Sequence, residues 1–148
     1  MRDIKFRGLR HLDDGKTEWV YGHLVNRWNN KPCICQYNPK ERPGRPNEFE
    51  DKWDIFVDVY EDSIGQYTGL KDRKGKYIYE GDLLECPQVP KVPLEVYYNS
   101  QKGAFCLAEH THTEGVLKGT TAIGDMLNYY PDMHIVGNIH DRKEARND

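Results

Sequence analysis

Short runs in which apolar and polar residues alternate dominate the first half of the chain. In Ile4–Arg7 the apolar residues fall on one face of an extended strand and the basic residues on the other. Three further segments are aromatic and β-branched or alternate at period two: Trp19–Val25, Cys33–Tyr37 and Trp53–Val59. The pattern predicts four strands.

The second half is punctuated by turns. Lys71–Lys76 has an early Asp, and Gly75 stands where a left-handed residue is needed, which is typical of a hairpin. Further strands are predicted at Tyr77–Tyr79, Leu83–Cys86, Leu94–Tyr98, Ala104–Leu107 and Met133–Ile139. Between Thr120 and Tyr130, apolar residues recur every three or four positions and Pro131 follows, which predicts one short helix.

These elements predict an all-β protein with one short helix, organised in two units. Residues 1–62 form an N-terminal β unit that contains a Pro-rich surface loop, 38–47, and residues 63–141 form a C-terminal unit. The charged tail 142–148 is expected to fray.

The amino-acid composition indicates a folded protein outside the membrane. The 148 residues include ten Tyr, three Trp and four Phe, which supply enough large apolar surface for folding. No stretch approaches the roughly 18 to 20 apolar residues of a membrane span, and the N-terminus lacks the pattern of a secretory signal. We expect a cytoplasmic protein that does not cross a membrane and whose four cysteines stay reduced.

Charge is unevenly distributed along the chain. Residues 1–48 carry 10 Lys+Arg and 6 Asp+Glu, a net charge of +4, whereas residues 49–148 carry 11 and 18, a net charge of -7. Copies could pair head to tail, or the acidic part could lie against the basic part of the same chain. Neither arrangement is typical of a dedicated nucleic-acid binder.

A long ordered string runs from Ser63 to Leu84. It joins Gln-Tyr-Thr-Gly-Leu to an Asp-x-x-Gly turn and then to Tyr-Glu-Gly-Asp, and it resembles the YopX family of phage and prophage proteins. The opening Arg2–Arg7 and the closing Ile135–Asp141 resemble the ends of the same family. The motif residues are Gln66, Tyr67, Thr68, Gly69, Leu70, Asp72, Gly75, Tyr79, Glu80, Gly81, Asp82, Gly137 and Asn138.

This resemblance implies a phage- or prophage-encoded protein of the bacterial cytoplasm with no established activity. It also implies barrel-like architecture, so we expect the N-terminal β unit to pack on a C-terminal, SH3-like barrel unit. The motif residues are expected to be structural.

Two sets of side chains could be taken for reactive sites. A metal could be chelated by two groups of residues, Cys33 with Cys35 and Cys106 with His110 and His112. Their spacing is not that of a zinc knuckle, however, and Cys33 and Cys35 are also typical of a buried strand.

Asp72, Glu80 and Asp82 gather at one turn, where we expect hydrated side chains that hydrogen-bond the loop backbone. The sequence has no phosphate-binding loop, nucleophile elbow or HExxH motif. We therefore predict no metal, no other cofactor and no enzymatic activity.

Basic and aromatic residues raise the alternative of nucleic-acid binding. Lys5, Arg7 and Arg10 could contact phosphates. The Pro-rich loop and three aromatic positions could assist them: Arg42, Arg45, Trp19, Trp28 and Tyr37. The competing interpretation is that the aromatic residues fill the core and the basic residues are solvated, and the acidic net charge favours it.

The sequence therefore predicts a non-catalytic protein-binding module that forms a homo-oligomer or contacts a phage or host protein. A nucleic-acid-binding module is the alternative, and a basic groove lined with exposed aromatic residues would favour it. A metal-dependent enzyme ranks third and would need ligands converging near Cys33, Cys35, Cys106 and His110.

Overall fold

The computed structural model describes residues 2–36, 56–88, 93–109 and 121–141. Within these ranges the strands are β1 (Phe6–His11), β2 (Thr17–Asn26), β3 (Pro32–Gln36), β4 (Phe56–Asp58), β5 (Gly65–Lys71), β6 (Tyr77–Tyr79), β7 (Asp82–Glu85), β8 (Leu94–Asn99), β9 (Ala104–Glu109), β10 (Thr121–Ala122) and β11 (His134–Asn138). Helix α1 (Ile123–Tyr129) follows β10, and a 3-10 turn spans Glu61–Ser63. Over the residues that the structure describes, the protein is mostly β with one short α-helix, as predicted.

The chain divides into two compact units, Met1–Gln66 and Tyr67–Asp148. In the first unit the antiparallel order is β4-β3-β2-β1, with the start of β5 beside β1. In the second unit the rest of β5 pairs with β6, and another antiparallel sheet has the order β10-β9-β8-β7-β11. The division after residue 62 and the barrel-like closure stay predictions.

Each unit has its own hydrophobic core. In the first unit, Val20, Ile34 and Val57 are buried, and Phe6 and Val59 pack against them. The core of the second unit is formed by Ile78, Leu84, Cys86, Val96, Leu107, Ile123 and Met133. Burying side chains of this size contributes roughly 1.5 to 3 kcal/mol each, so both sheets are stabilised mainly by their inner faces.

The first strand differs from its prediction. It begins at Phe6, while Ile4 lies before it and is 47% exposed. Arg7 is buried rather than solvated, because its guanidinium lies 4.2 Å from the centroid of the Trp19 ring. The prediction of an inward Ile4 opposite a solvated basic face is therefore wrong.

The helix is shorter than predicted. Thr121–Ala122 pair with β9, so their backbone groups are committed to the sheet and α1 begins at Ile123. Ile123 is buried and Met126 and Leu127 pack against the same core, which confirms the predicted apolar spacing.

Some predictions fall on residues that the structure does not describe. These are the Pro-rich loop 38–47, the beginning of the strand predicted at Trp53–Val59, Thr120 and the tail 142–148. Among the helices that the structure does describe, none has the length and apolar character needed to span a membrane.

Candidate functional site

The first unit carries aromatic and basic side chains on the sheet face opposite its core. Arg7 pairs across the sheet with Tyr21, so their side chains share a face. Phe56 is on this face too, because it pairs with Cys35, which pairs with His23, two residues after Tyr21 on β2. Tyr21 is 45% exposed and Phe56 is 43% exposed, while Trp19 is half-buried. The surface formed by Arg7, Trp19, Tyr21 and Phe56 is termed the aromatic face.

Two guanidinium groups are engaged at this face. That of Arg7 stacks on Trp19, as described above. That of Arg27 lies 5.9 Å from the centroid of the Phe56 ring, and its Nη1 donates a hydrogen bond to Asp58 Oδ1 at 3.3 Å. Because a cation over an aromatic ring is attracted by the ring quadrupole, these contacts hold both rings in place.

The basic residues predicted to contact phosphates are also engaged within the unit. Lys5 forms an ion pair with Asp3 at 2.9 Å. Arg10 donates from Nη2 and Nε to Glu18 Oε2 at 2.9 and 3.2 Å. Since Arg7 is buried, a polyanion would have to compete with carboxylates for the other two cations.

The prediction that both tryptophans fill the core is wrong for Trp28. This residue lies in the turn between β2 and β3 and is 95% exposed. The turn closes through a hydrogen bond from Arg27 N–H to Lys31 O at 3.2 Å, so Trp28 lies at the hairpin tip rather than on a face of the sheet. Tyr37, Arg42 and Arg45 lie outside the described residues.

The cysteines occupy interior or half-buried strand positions. Cys33 is fully buried in β3, Cys35 is half-buried and Cys106 is buried in β9. Burial raises the pKa of Cys33, although Arg27 lowers it, so the thiol form is favoured. In residues 2–36, 56–88, 93–109 and 121–141, no three His, Cys, Asp or Glu side chains are placed to hold a metal ion. His110 and His112 lie outside those ranges.

The carboxylates of the central turn are buried rather than hydrated. Asp72 is 6% exposed, Asp82 is 2% exposed and Glu80 is half-buried. The prediction that the flanking glycines leave these groups in water is wrong for the two aspartates, because backbone N–H groups take the place of water around them.

Asp72 joins the β5–β6 turn to the last strand. Its Oδ1 accepts the backbone N–H groups of Lys74 and Lys76, and its Oδ2 accepts that of Ile135, each at 2.9 Å. Burial alone would raise the pKa of Asp72, but these three bonds and the charge of Lys76 hold it below its ordinary value. The ionised carboxylate therefore has a structural role, as turn chemistry predicts.

Asp82 organises the Tyr-Glu-Gly-Asp segment in a similar way. Its Oδ2 accepts the backbone N–H of Tyr79 at 2.8 Å. Gly81 has a φ of 88°, donates its N–H to Val96 O at 2.9 Å and accepts the N–H of Ile139 at 2.9 Å. This segment thus connects β6, β7, β8 and the residues after β11.

The motif residues are consistent with a comparison against family models. The model described as YopX protein matches residues 5–144 of the 148-residue chain. The chain belongs to the YopX family. Among curated proteins, no match is found.

The Gln-Tyr-Thr-Gly-Leu part of the YopX motif builds a bulge in the β5–β6 hairpin. Tyr67 pairs with Tyr79 and Lys71 pairs with Tyr77, so β5 contains extra residues between its two pairing points. Gly69 lies within the bulge at a φ of 88°.

The side chain of Thr68 closes this bulge. Its Oγ1 donates to Ile78 O at 2.8 Å and accepts the N–H of Leu70 at 3.2 Å. Gln66 precedes the bulge and pairs with Phe6 of β1. The bulge returns Lys71 to register and places it beside the aromatic residues of β6.

In the closing YopX signature, one carboxylate accepts two hydrogen bonds from Asn138. Asp141 Oδ2 accepts the backbone N–H of Asn138 at 2.9 Å, and its Oδ1 accepts the side-chain amide of Asn138 at 2.8 Å. A Cβ atom on Gly137 would lie 2.6 Å from Asp141 Oδ2, so a larger residue at this position would displace that carboxylate from Asn138.

Sequence reasoning did not identify Arg27 or Phe56 as site residues. They are far apart in the chain and meet only because β3 lies between β2 and β4. A partial signal was available, because Trp19 and Tyr21 are two residues apart and share a strand face.

Proposed function

We propose that this YopX protein is a non-catalytic protein-binding module that self-associates through its aromatic face. The observation that carries the proposal is that Tyr21 and Phe56 stay exposed on a sheet face whose arginines are already engaged. Aromatic residues and Arg are enriched at the centres of protein interfaces, where they supply large contact areas at low cost in conformational entropy.

A protein partner fits this face better than a polyanion does. The guanidinium of Arg27 is bonded to Asp58, and that of Arg7 is covered by Trp19. A partner that brings apolar surface gains contact with the exposed rings without displacing those contacts. A nucleic acid would have to break them in order to place its phosphates.

A non-catalytic role is supported by the two buried carboxylates. Asp72 and Asp82 accept backbone hydrogen bonds, and the pKa of Asp72 is lowered rather than raised. A general acid at neutral pH would need the opposite shift.

We propose that the partner is a second copy of the chain. A phage or host protein is the alternative partner. The YopX relationship supports a phage or prophage origin and action in the bacterial cytoplasm.

Light scattering tests the proposal directly. We expect the purified protein to form a species larger than the 17.3 kDa monomer. The double variant Tyr21→Ser/Phe56→Ser should return to the monomer, because it removes both exposed rings. Tyr98→Ser is the matched control, since Tyr98 lies on β8 and is 49% exposed.

Affinity capture from an induced host extends the test to other proteins. The proposal fails if the wild type is monomeric and the double variant captures the same proteins as the wild type. It also fails if Tyr98→Ser dissociates the oligomer as fully as the double variant.

A further inference from the structure

The turn between β5 and β6 is the most basic tip among the described hairpins. Within Lys71–Lys76, four of the six residues are cations and all four are exposed: Lys71, Arg73, Lys74 and Lys76. These four residues are termed the basic tip. By comparison, the β1–β2 turn contains Asp13 and Asp14.

The positive charge of this tip is only partly compensated. Asp72, its one acid, is buried and points its oxygens at three backbone N–H groups, although its field still reaches Lys76. Arg73 pairs with Asp132 at 3.1 Å. Among the described ion pairs, none involves Lys74 or Lys76.

An exposed aromatic ring lies next to these cations. Tyr77 is 43% exposed, and Lys71 Nζ lies 5.1 Å from the centroid of its ring. The ring packs on Tyr67 with centroids 4.9 Å apart, and Tyr67 in turn contacts Tyr79 at 5.6 Å. The buried tyrosines therefore support Tyr77 from within the unit, and the bulge at Gly69 brings Lys71 beside it.

We propose that the basic tip together with Tyr77 is a binding site for single-stranded nucleic acid. The cations contact successive phosphates, and the Tyr77 ring stacks on one base. Single-stranded nucleic acid offers both negative charge and aromatic faces, whereas an acidic peptide offers only the charge. The site belongs to the second unit and extends the function proposed for the aromatic face of the first.

The expected binding is weak and independent of sequence. Four cations on one turn contact few phosphates, and contacts to phosphates carry no sequence information. We expect a dissociation constant of roughly 1 to 100 μM near physiological salt, which is the range of non-specific contact. Affinity should fall steeply as salt rises.

Fluorescence anisotropy with a labelled oligothymidylate tests the site. Lys74→Gln/Lys76→Gln should weaken binding and reduce the slope of log K against log salt by about 1.4, because each lost phosphate contact of a single strand accounts for about 0.7. The control, Lys16→Gln/Lys31→Gln, removes the same charge from two other exposed turn positions and should leave the slope unchanged.

The aromatic contribution needs its own variants. Tyr77→Ser should weaken binding about ten-fold, whereas Tyr77→Phe keeps the ring and should bind like the wild type. Tyr98→Ser should have no effect. Thermal denaturation of each variant establishes that the second unit stays folded.

Three results would overturn this inference. The first is no anisotropy change with wild-type protein at low salt. The second is an equal loss of slope in the control pair. The third is displacement of the oligonucleotide by polyglutamate of equal charge at the same concentration, which would assign the tip to acidic proteins. None of these results bears on the oligomer test, because Lys74, Lys76 and Tyr77 lie in the second unit and neither Lys16 nor Lys31 belongs to the aromatic face.

Discussion

Asp72, a residue of the YopX motif, stabilises two separate parts of the second unit with one side chain. Its carboxylate is buried, accepts three backbone N–H groups and links the β5–β6 turn to β11. The bond to Ile135 spans 63 residues of sequence. A residue expected to serve one turn therefore also fixes the position of the last strand.

Replacing Asp72 should destabilise the protein strongly. Asp72→Ala leaves three part-buried N–H donors without their acceptor, where a fully buried donor in this state would cost about 1 to 3 kcal/mol. Urea unfolding should show this loss at neutral pH. Asp13→Ala, at an exposed turn position, is the control and should be neutral.

The same contact predicts a pH dependence. Because folding lowers the pKa of Asp72, its ionisation contributes stability above the unfolded value of about 3.9, and this contribution is lost as pH falls through the lower folded value. The stability difference between wild type and Asp72→Ala should therefore shrink below about pH 4. A constant difference down to about pH 2 would contradict this assignment.

Gly75 tests the backbone conformation of the same turn. Its φ is 80°, and a Cβ atom there would meet nothing within 4 Å. Gly75→Val should cost roughly 1 kcal/mol or more through strain in the left-handed region alone. Gly124→Ala is the control, since it lies in α1 with only an ordinary contact to Leu70 at 3.9 Å, and it should be neutral or stabilising. An unchanged melting temperature for Gly75→Val would refute this view of the turn.

At the scale of elements, the close approach of β2 and β3 depends on one glycine. A Cβ atom on Gly22 would lie 1.8 Å from the backbone oxygen of Cys35. Gly8 of β1 is also crowded, but its neighbour is the side chain of Val59, with Cβ at 2.9 Å. The two positions differ in whether the obstacle can be removed by mutation.

This difference gives a test of strand packing. Gly22→Ala should destabilise the first unit by about 1 to 3 kcal/mol or more, because the two backbones must separate. Adding Cys35→Ala should not restore stability, since the clash is with a main-chain atom. Gly8→Ala should be tolerated once Val59→Gly is present, because that change removes the Val59 Cβ atom as well as its methyl groups. Unfolding measured by tryptophan fluorescence compares the four variants, and rescue of Gly22→Ala would refute the proposed clash.

At the scale of the whole molecule, the charge asymmetry of the sequence disappears when it is counted by compact unit. Residues 1–66 carry 11 Lys+Arg and 12 Asp+Glu, a net charge of -1, and residues 67–148 carry 10 and 12, a net charge of -2. Residues 49–66, with 1 Lys+Arg and 6 Asp+Glu, belong to the same unit as the basic residues 1–48, and Asp58 among them pairs with Arg27. Head-to-tail attraction between oppositely charged units therefore has no basis.

Metal content is a property of the whole chain. We expect protein purified without a metal-binding tag to contain much less than one zinc per chain, because burial favours the thiol form of Cys33. Elemental analysis measures this directly. About one equivalent of zinc, lost in Cys33→Ser/Cys35→Ser, would restore the metal site considered from the sequence.

The sequence by itself determined the features that depend on local geometry. Strand alternation, the left-handed Gly75 and the apolar spacing of α1 each follow from the conformation of a few neighbouring residues. The YopX motif was also readable, because it is an ordered string of residue types.

Tertiary structure decided which side chains meet. Arg7 is buried against Trp19, Arg27 contacts Phe56, and Asp72 accepts a hydrogen bond from Ile135 in place of water. Each contact joins residues from separate parts of the chain. Such contacts have no sequence period, because they depend on strand order and register rather than on the spacing of neighbours. For the same reason Trp28, large and apolar, lies exposed at a hairpin tip, where the fold places no facing layer.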